Sequence, residues 1–343
     1  AATSRLFLGM RIDCAQCHDH PFDPWKQEQF WQHAAFFTDL PQQGQTPSNV
    51  VEQVAETFIG KQPQIAIPDT DKVVKASFLD GKTPNWSDDP APRSQLAKWI
   101  VSENNPYFAK AAVNRIWSYH FGIGLVEPMD DFSPSNPPSH PELLDALAEA
   151  FVAHDYDFKF LIRAITSSEA YQLSSRQTDP SQERISLFAR MPVRGLTPEQ
   201  IFDSLAEAIG YRQPFNPELP LNFNDDQTRQ EFLRTFANTS CSAPDRTTTI
   251  LQALSLMNGN YIETATDLTD SQTLAAVIDA PFLESREKID ALYLTTLSRY
   301  PTDQECARMV DYVQNGGATD DKAEALADVF WALLNSSEFL LTH

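Results

Sequence analysis

From Pro92 onward, apolar residues recur at intervals of three and four, the period that gathers them on one face of a helix. Leu96, Trp99 and Ile100 follow Pro92, a residue suited to a first helical turn. Asn105-Pro106 breaks that helix. The next is predicted from Tyr107 to Tyr119, with Phe108, Ala111, Ala112, Ile116 and Tyr119 on one side and Gly122 and Gly124 as stops. Ser139-His140-Pro141-Glu142 reads as a capping box, Ser139 capping and Glu142 three residues on, ahead of Leu143, Leu144, Leu147, Ala148 and Phe151. A helix opening at or near Asp157 carries Phe160, Leu161 and Ile165. Thr197-Pro198-Glu199-Gln200 repeats the start signal before Ile201, Leu205 and Ile209, and Gly210 ends that helix. Further helices are expected from about Asp226 to Phe236 and from Thr249 to Met257. The clearest in the tail run from Ser285 to Leu297, Thr302 to Tyr312 and Ala323 to Leu334.

Before Pro92 the pattern differs. Residues 3–12 read as the end of a helix. Trp25, Phe30, Trp31, Phe36 and Phe37 crowd a short stretch in which Phe30, His33, Ala34 and Phe37 share a helical face. Between 41 and 91 the helical period lapses, and Gln, Pro, Ser, Thr and Asp become common. Short β-like pieces appear there at Val50 to Ile59, Gln64 to Pro68 and Val73 to Leu79, with Asp80-Gly81-Lys82 as a turn. The fold class is therefore mainly α: a multi-helical body with a small β-containing insertion. The expected divisions are 1–40, a Cys-rich segment ending an N-terminal domain; 41–91, the insertion; and 92–343, the helical domain.

Charge narrows the function. The chain of 343 residues carries 47 Asp and Glu against 26 Lys and Arg, a formal net charge of -21. Nucleic acid is excluded as a partner on that ground, because its backbone is met by Lys and Arg. Anionic membranes are disfavoured in the same way. No apolar run reaches membrane-spanning length, no signal peptide is present, and the chain starts at Ala1 without methionine, so a mature or trimmed chain is expected.

Chemistry concentrates at Arg11-Ile12-Asp13-Cys14-Ala15-Gln16-Cys17-His18-Asp19-His20-Pro21-Phe22-Asp23. Cys-x-x-Cys-His is the attachment pattern of a c-type haem. Cys14 and Cys17, one helical turn apart, point their sulfurs to one side, where two vinyl groups of a haem can be met. His18 then offers a nitrogen to the iron. Two alternatives stay open. Cys14, Cys17 and His18 or His20, with Asp23 as a further ligand, would suit zinc or non-haem iron. A small disulfide or two buried thiols beside a turn is the plainer reading. His20 could ligate another metal, bond a haem propionate or cap the turn. Attachment of haem would place the chain outside the cytoplasm and leave Cys241 and Cys306 as a disulfide or as free thiols.

A sixth iron ligand is sought at His120, His140 or Met129. His33 reads as packing or a propionate contact, and His154 as exposed. Arg115 and Arg163 lie within apolar helices and call for an acidic partner, Asp130 or Asp131, or a haem propionate. Asp130-Asp131 is also a weak calcium candidate, and Arg246 a loop anchor.

The Leu8 to Asp23 stretch resembles the end of a domain of unknown function found largely in planctomycete bacteria and commonly fused to or encoded with cytochrome c modules. Asn104 to Ala109, Val113-Asn114-Arg115-Ile116-Trp117, Gly122 to Pro128, Asp130-Asp131-Phe132 and Asn136 to Leu144 resemble its C-terminal companion domain. So do Tyr171 to Ser175, Leu256-Met257-Asn258-Gly259 and Leu333 to Phe339. The first resemblance covers about residues 1–40 and the second about 90–343, as in the back portion of a longer exported protein. It implies an exported bacterial protein of redox character; with the Cys-x-x-Cys-His pattern, the expected function is that of a periplasmic or otherwise extracytoplasmic c-type haem protein, either an oxidoreductase or an electron-transfer subunit, with a redox protein or cytochrome module as partner. The competing class is a non-catalytic structural or scaffold module stapled by its Cys-rich turn.

Overall fold

Helix dominates the computed structural model, which describes residues 1–38, 62–87, 91–212, 226–236, 259–268 and 271–342. The contacts divide into two units, Ala1–Pro192 and Val193–His343. The expected pieces at Val50 to Ile59 and Thr249 to Met257, with Cys241 and Arg246, lie outside the described residues.

In the first unit, the Ala2–Leu8 helix, the Cys-rich turn, the Gln27–Ala34 helix and the Pro92–Ile100 helix share one core. Leu8, Met10, Ile12, Ala15, Phe30, Phe36, Leu79, Leu96 and Ile100 fill it. Phe36 stacks on Phe78 with ring centres 5.3 Å apart, and Phe78 stacks on Trp99 at 5.0 Å. The β-containing insertion is an antiparallel pair, Gln64–Ala66 with Val73–Lys75, in which Ile65 faces Val74. Val74 is buried between exposed Val73 and Lys75, as a strand with one covered face requires. The Asp80-Gly81-Lys82 turn forms as expected, with Gly81 at φ +83.

A second core lies among the Phe108–Phe121, Pro141–Ala153 and Phe158–Thr166 helices, where Val113, Trp117, Phe121, Leu144, Phe151, Leu161 and Phe188 meet. Asn105 caps the first of these helices, its side-chain oxygen accepting from the backbone N–H of Tyr107 at 2.9 Å and of Phe108 at 3.1 Å. Gly122 ends it in the left-handed region. Asp157 caps the third helix, accepting from the Lys159 N–H. One expectation is displaced by a residue: the cap before Pro141 is His140, not Ser139. Ser139 instead gives its backbone N–H to the Leu125 carbonyl at 2.7 Å. Arg163, expected inside an apolar helix, is exposed.

The second unit is built from the Pro198–Ile209, Gln227–Phe236, Asn260–Thr266, Gln272–Ile278, Ser285–Leu297, Asp303–Gln314, Lys322–Leu334 and Ser337–Leu340 helices. Thr197 and Gln200 form the expected capping box, and Gly210 the expected stop. Phe202, Leu205, Leu274, Ile289, Leu292, Tyr293 and Phe330 are central to its core. A short ribbon pairs Arg194–Gly195 with Leu341–Thr342. Arg299 binds Glu305 and Glu338 through two nitrogens each, joining three helix ends. Those bonds hold the Glu305 carboxyl down at about 2.

Candidate functional site

The Cys-rich turn is shaped by an alternation of anchors. Met10, Ile12 and Ala15 are at most 1% exposed, so the residues between and after them face outward. Ala15 N–H bonds the Ile12 carbonyl at 3.0 Å and starts a 3-10 turn over Asp13–Gln16. Cys14 lies within this turn, and Cys17 is the residue that closes it. Both are free, exposed thiols.

The backbone beyond the thiols is satisfied by neighbouring side chains. Trp31 Nε1 donates to the Gln16 carbonyl at 3.0 Å, and Gln27 Nε2 to the Cys17 carbonyl at 2.9 Å. Asp19 accepts from Gln27 N–H and from Lys26 Nζ, both at 3.0 Å. The Gln27 bond, then the Lys26 bond, holds its carboxyl below the usual range. His18 Nδ1 lies 2.7 Å from the Asp19 carbonyl. A carbonyl only accepts, so Nδ1 carries the proton and Nε2 keeps a lone pair for a ligand. His20 is used differently. Its Nδ1 accepts from Asp23 N–H at 2.9 Å and Phe22 N–H at 3.3 Å, while the His20 backbone N–H donates to the Trp25 carbonyl at 2.8 Å. It thus caps the turn, leaving only Nε2 for any other task. Asp23 Oδ1 is buried beside it without a partner.

The approach to the turn is held by residues far along the chain. Asp130, 8% exposed, accepts from Arg5 Nε through one oxygen. Its other oxygen accepts from Arg11 Nε at 3.0 Å and Nη2 at 2.5 Å. Burial alone would raise the Asp130 carboxyl, but the Arg5 and Arg11 bonds outweigh it and hold it below the usual range. Phe132 N–H bonds the Gly9 carbonyl at 2.8 Å. Gly9 sits at φ +66, where a Cβ would stand 2.5 Å from the Phe132 ring. The loop carrying Asp130 is itself pinned by fully buried Asn114, which gives to the Val126 carbonyl and accepts from the Val126 N–H, both at 2.9 Å.

Arg115 does not meet Asp130, contrary to expectation. Its Nη2 donates to the Arg5 carbonyl at 3.0 Å, Nη1 rests 3.8 Å from the Met129 sulfur, and Nε is buried without a partner. With both oxygens of Asp130 taken by arginines, Asp130-Asp131 does not present itself as a calcium pair. His120 packs edge-on against Tyr119 and Tyr171. His140 sits 3.2 Å from Ser139 Oγ and tilts over Phe188. His154 is exposed and stacked on Phe160. Cys306 is buried in the Asp303–Gln314 helix.

Among the described residues no three His, Cys, Asp or Glu side chains gather in a group able to hold a metal ion. A zinc or non-haem iron site would therefore require Cys14, Cys17, His18 and His20 to rearrange. Haem attachment asks less of this geometry: two accessible thiols and an open His18 nitrogen. Of the side chains crowded after the turn, Phe30 and His33 are turned into the core. Trp25 and Trp31 are half-buried near the turn, and Phe22 is 85% exposed.

A family model described as a protein of unknown function (DUF1553) matches residues 92–218 and 221–313, more than half of the chain, and the chain belongs to that family. A second model, also described as a protein of unknown function (DUF1549), matches residues 1–42 and includes the Cys-rich turn. Its short name, PSCyt2, fits the redox setting expected of the pair. No curated protein and no solved structure matches the chain. Among the described residues no helix is long and apolar enough to cross a membrane.

Proposed function

We propose that Cys14 and Cys17 carry one covalently attached haem c, that His18 gives Nε2 to its iron, and that the chain serves redox chemistry outside the cytoplasm. One observation carries the reading: Gln27 and Trp31 satisfy the turn's carbonyls, which leaves two thiols and one imidazole nitrogen presented to solvent. The haem, when bound, supplies one-electron chemistry at iron. The chain's own part is to hold the two sulfurs on one side, to fix the His18 tautomer through the Asp19 carbonyl, and to keep the turn's carbonyls bonded to Gln27 and Trp31. The acidic surface suits a neutral or cationic redox partner.

The test is expression with export and haem-attachment machinery, followed by intact mass and visible spectrum. A mass gain of one haem and a Soret band are expected, both lost in Cys14→Ser/Cys17→Ser. An unchanged mass in the unaltered chain would overturn the reading, leaving the scaffold module. Bound zinc without a Soret band would overturn it in favour of the metal alternative. With haem in place, adding carbon monoxide to the ferrous protein separates the two redox roles. Rapid binding marks an open sixth position and an oxidoreductase, whereas an unchanged spectrum marks two protein ligands and an electron carrier.

A further inference from the structure

We propose that Asp130 is a positioning residue for the Cys14–His18 turn, acting through Arg11 and, one helix earlier, through Arg5. The inference rests on that turn being the working site, and it holds whatever the thiols carry. Arg11 lies between two core anchors, Met10 and Ile12, and is three residues from Cys14, so its guanidinium is the last side-chain tether before the thiols. The carboxylate that receives it is buried and stands on a loop that cannot drift. Asn114 bonds both polar groups of Val126, and a Cβ at Gly124 would collide with the Val126 carbonyl. Phe132 adds a backbone bond to Gly9 two residues past Asp130. Two guanidiniums share one carboxylate, so neutralising it weakens both pairs at once while leaving both helical cores untouched.

The experiment is hydrogen exchange on the full haem-free chain, comparing Asp130→Asn, Asp130→Glu and Arg11→Gln. Three amides report: Met10, bonded to the Ser4 carbonyl; Ala15, bonded to the Ile12 carbonyl; and Leu161, in the Phe158–Thr166 helix, as a control. Asp130→Asn is expected to speed exchange at Met10 and Ala15 roughly tenfold with Leu161 unchanged, since local opening is read apart from global unfolding. Asp130→Glu should recover most of that protection. The double variant with Arg11→Gln should exchange no faster than the faster of its two single variants. Unchanged rates at Met10 and Ala15, equal acceleration at Leu161, or single effects that multiply in the double variant would each overturn the assignment. Failure of the haem reading appears separately, as an unaltered chain that gains no mass.

Discussion

His33 is 1% exposed, and neither ring nitrogen has a hydrogen-bond partner. Its nearest rings are Phe36 and Phe37, with centres 6.3 and 6.0 Å away. Burial, assisted by the Ala1 amino group, lowers its pKa from 6.5 to about 4. The unfolded chain therefore binds a proton at His33 near pH 6.5, where the folded chain does not. Stability from this group is fully present above pH 6.5, falls as pH drops toward 4, and levels off below. At 1.36 kcal/mol per unit, the loss across that window is roughly 3 kcal/mol. His33→Leu removes the titration and both unpartnered nitrogens at similar size. It should be more stable than the unaltered chain by about 1–3 kcal/mol at pH 7, because unpaired buried polar atoms are costly. The advantage should widen by roughly 3 kcal/mol at pH 4. Urea melts at pH 7, 5.5 and 4, following the transition of the first unit, measure both, and carboxylates common to the two chains cancel in the difference. An acid slope equal in the two chains would refute the reasoning.

Asn114→Ala strips three hydrogen bonds from a fully buried site and should cost about 2–4 kcal/mol in urea melts, since the Val126 groups it leaves behind are unpaired. Gly9→Ala combines a positive φ with a clash on the Phe132 ring and should cost about 1–3 kcal/mol in the same assay. Arg299→Gln removes the guanidinium shared by two glutamates at partly exposed sites, so solvent screening limits the loss to the order of 1 kcal/mol at pH 7. That loss is present above pH 4.5 and should vanish as pH falls toward about 2, where Glu305 protonates in the unaltered chain. Thermal melts of both chains from pH 7 to 2.5 check it.

Signals confined to a few neighbouring residues are legible in the sequence alone. The Thr197 box, the Gly122 and Gly210 stops and the hairpin around Ile65 and Val74 depend on local backbone chemistry alone. The cap at His140 was missed because Pro141 forces the residue before it out of the helical region, to φ -135 and ψ 80, so the boundary falls one residue later than Ser139 suggests. Arg163 was misread because Leu161 and Ile165 cover only a narrow stripe of their helix, and position 163 lies on the opposite face. The Cys-x-x-Cys-His spacing was legible, but the exposure of its thiols was not. Nor was the pairing of Arg11 with Asp130, since nothing in a single chain marks which distant carboxylate an arginine will reach.

That pairing spans 119 residues and so sets an order of events. Both thiols leave the ribosome well before Asp130 does. At 5–20 residues per second the interval is roughly 6–23 s, and throughout it the Cys-rich segment lacks its Asp130 tether. The anchors from Gln27 and Trp31 are in place before then, whereas the one through Arg11 comes last. The order in which the turn gains its anchors is thus encoded in the distance between an arginine and its acid.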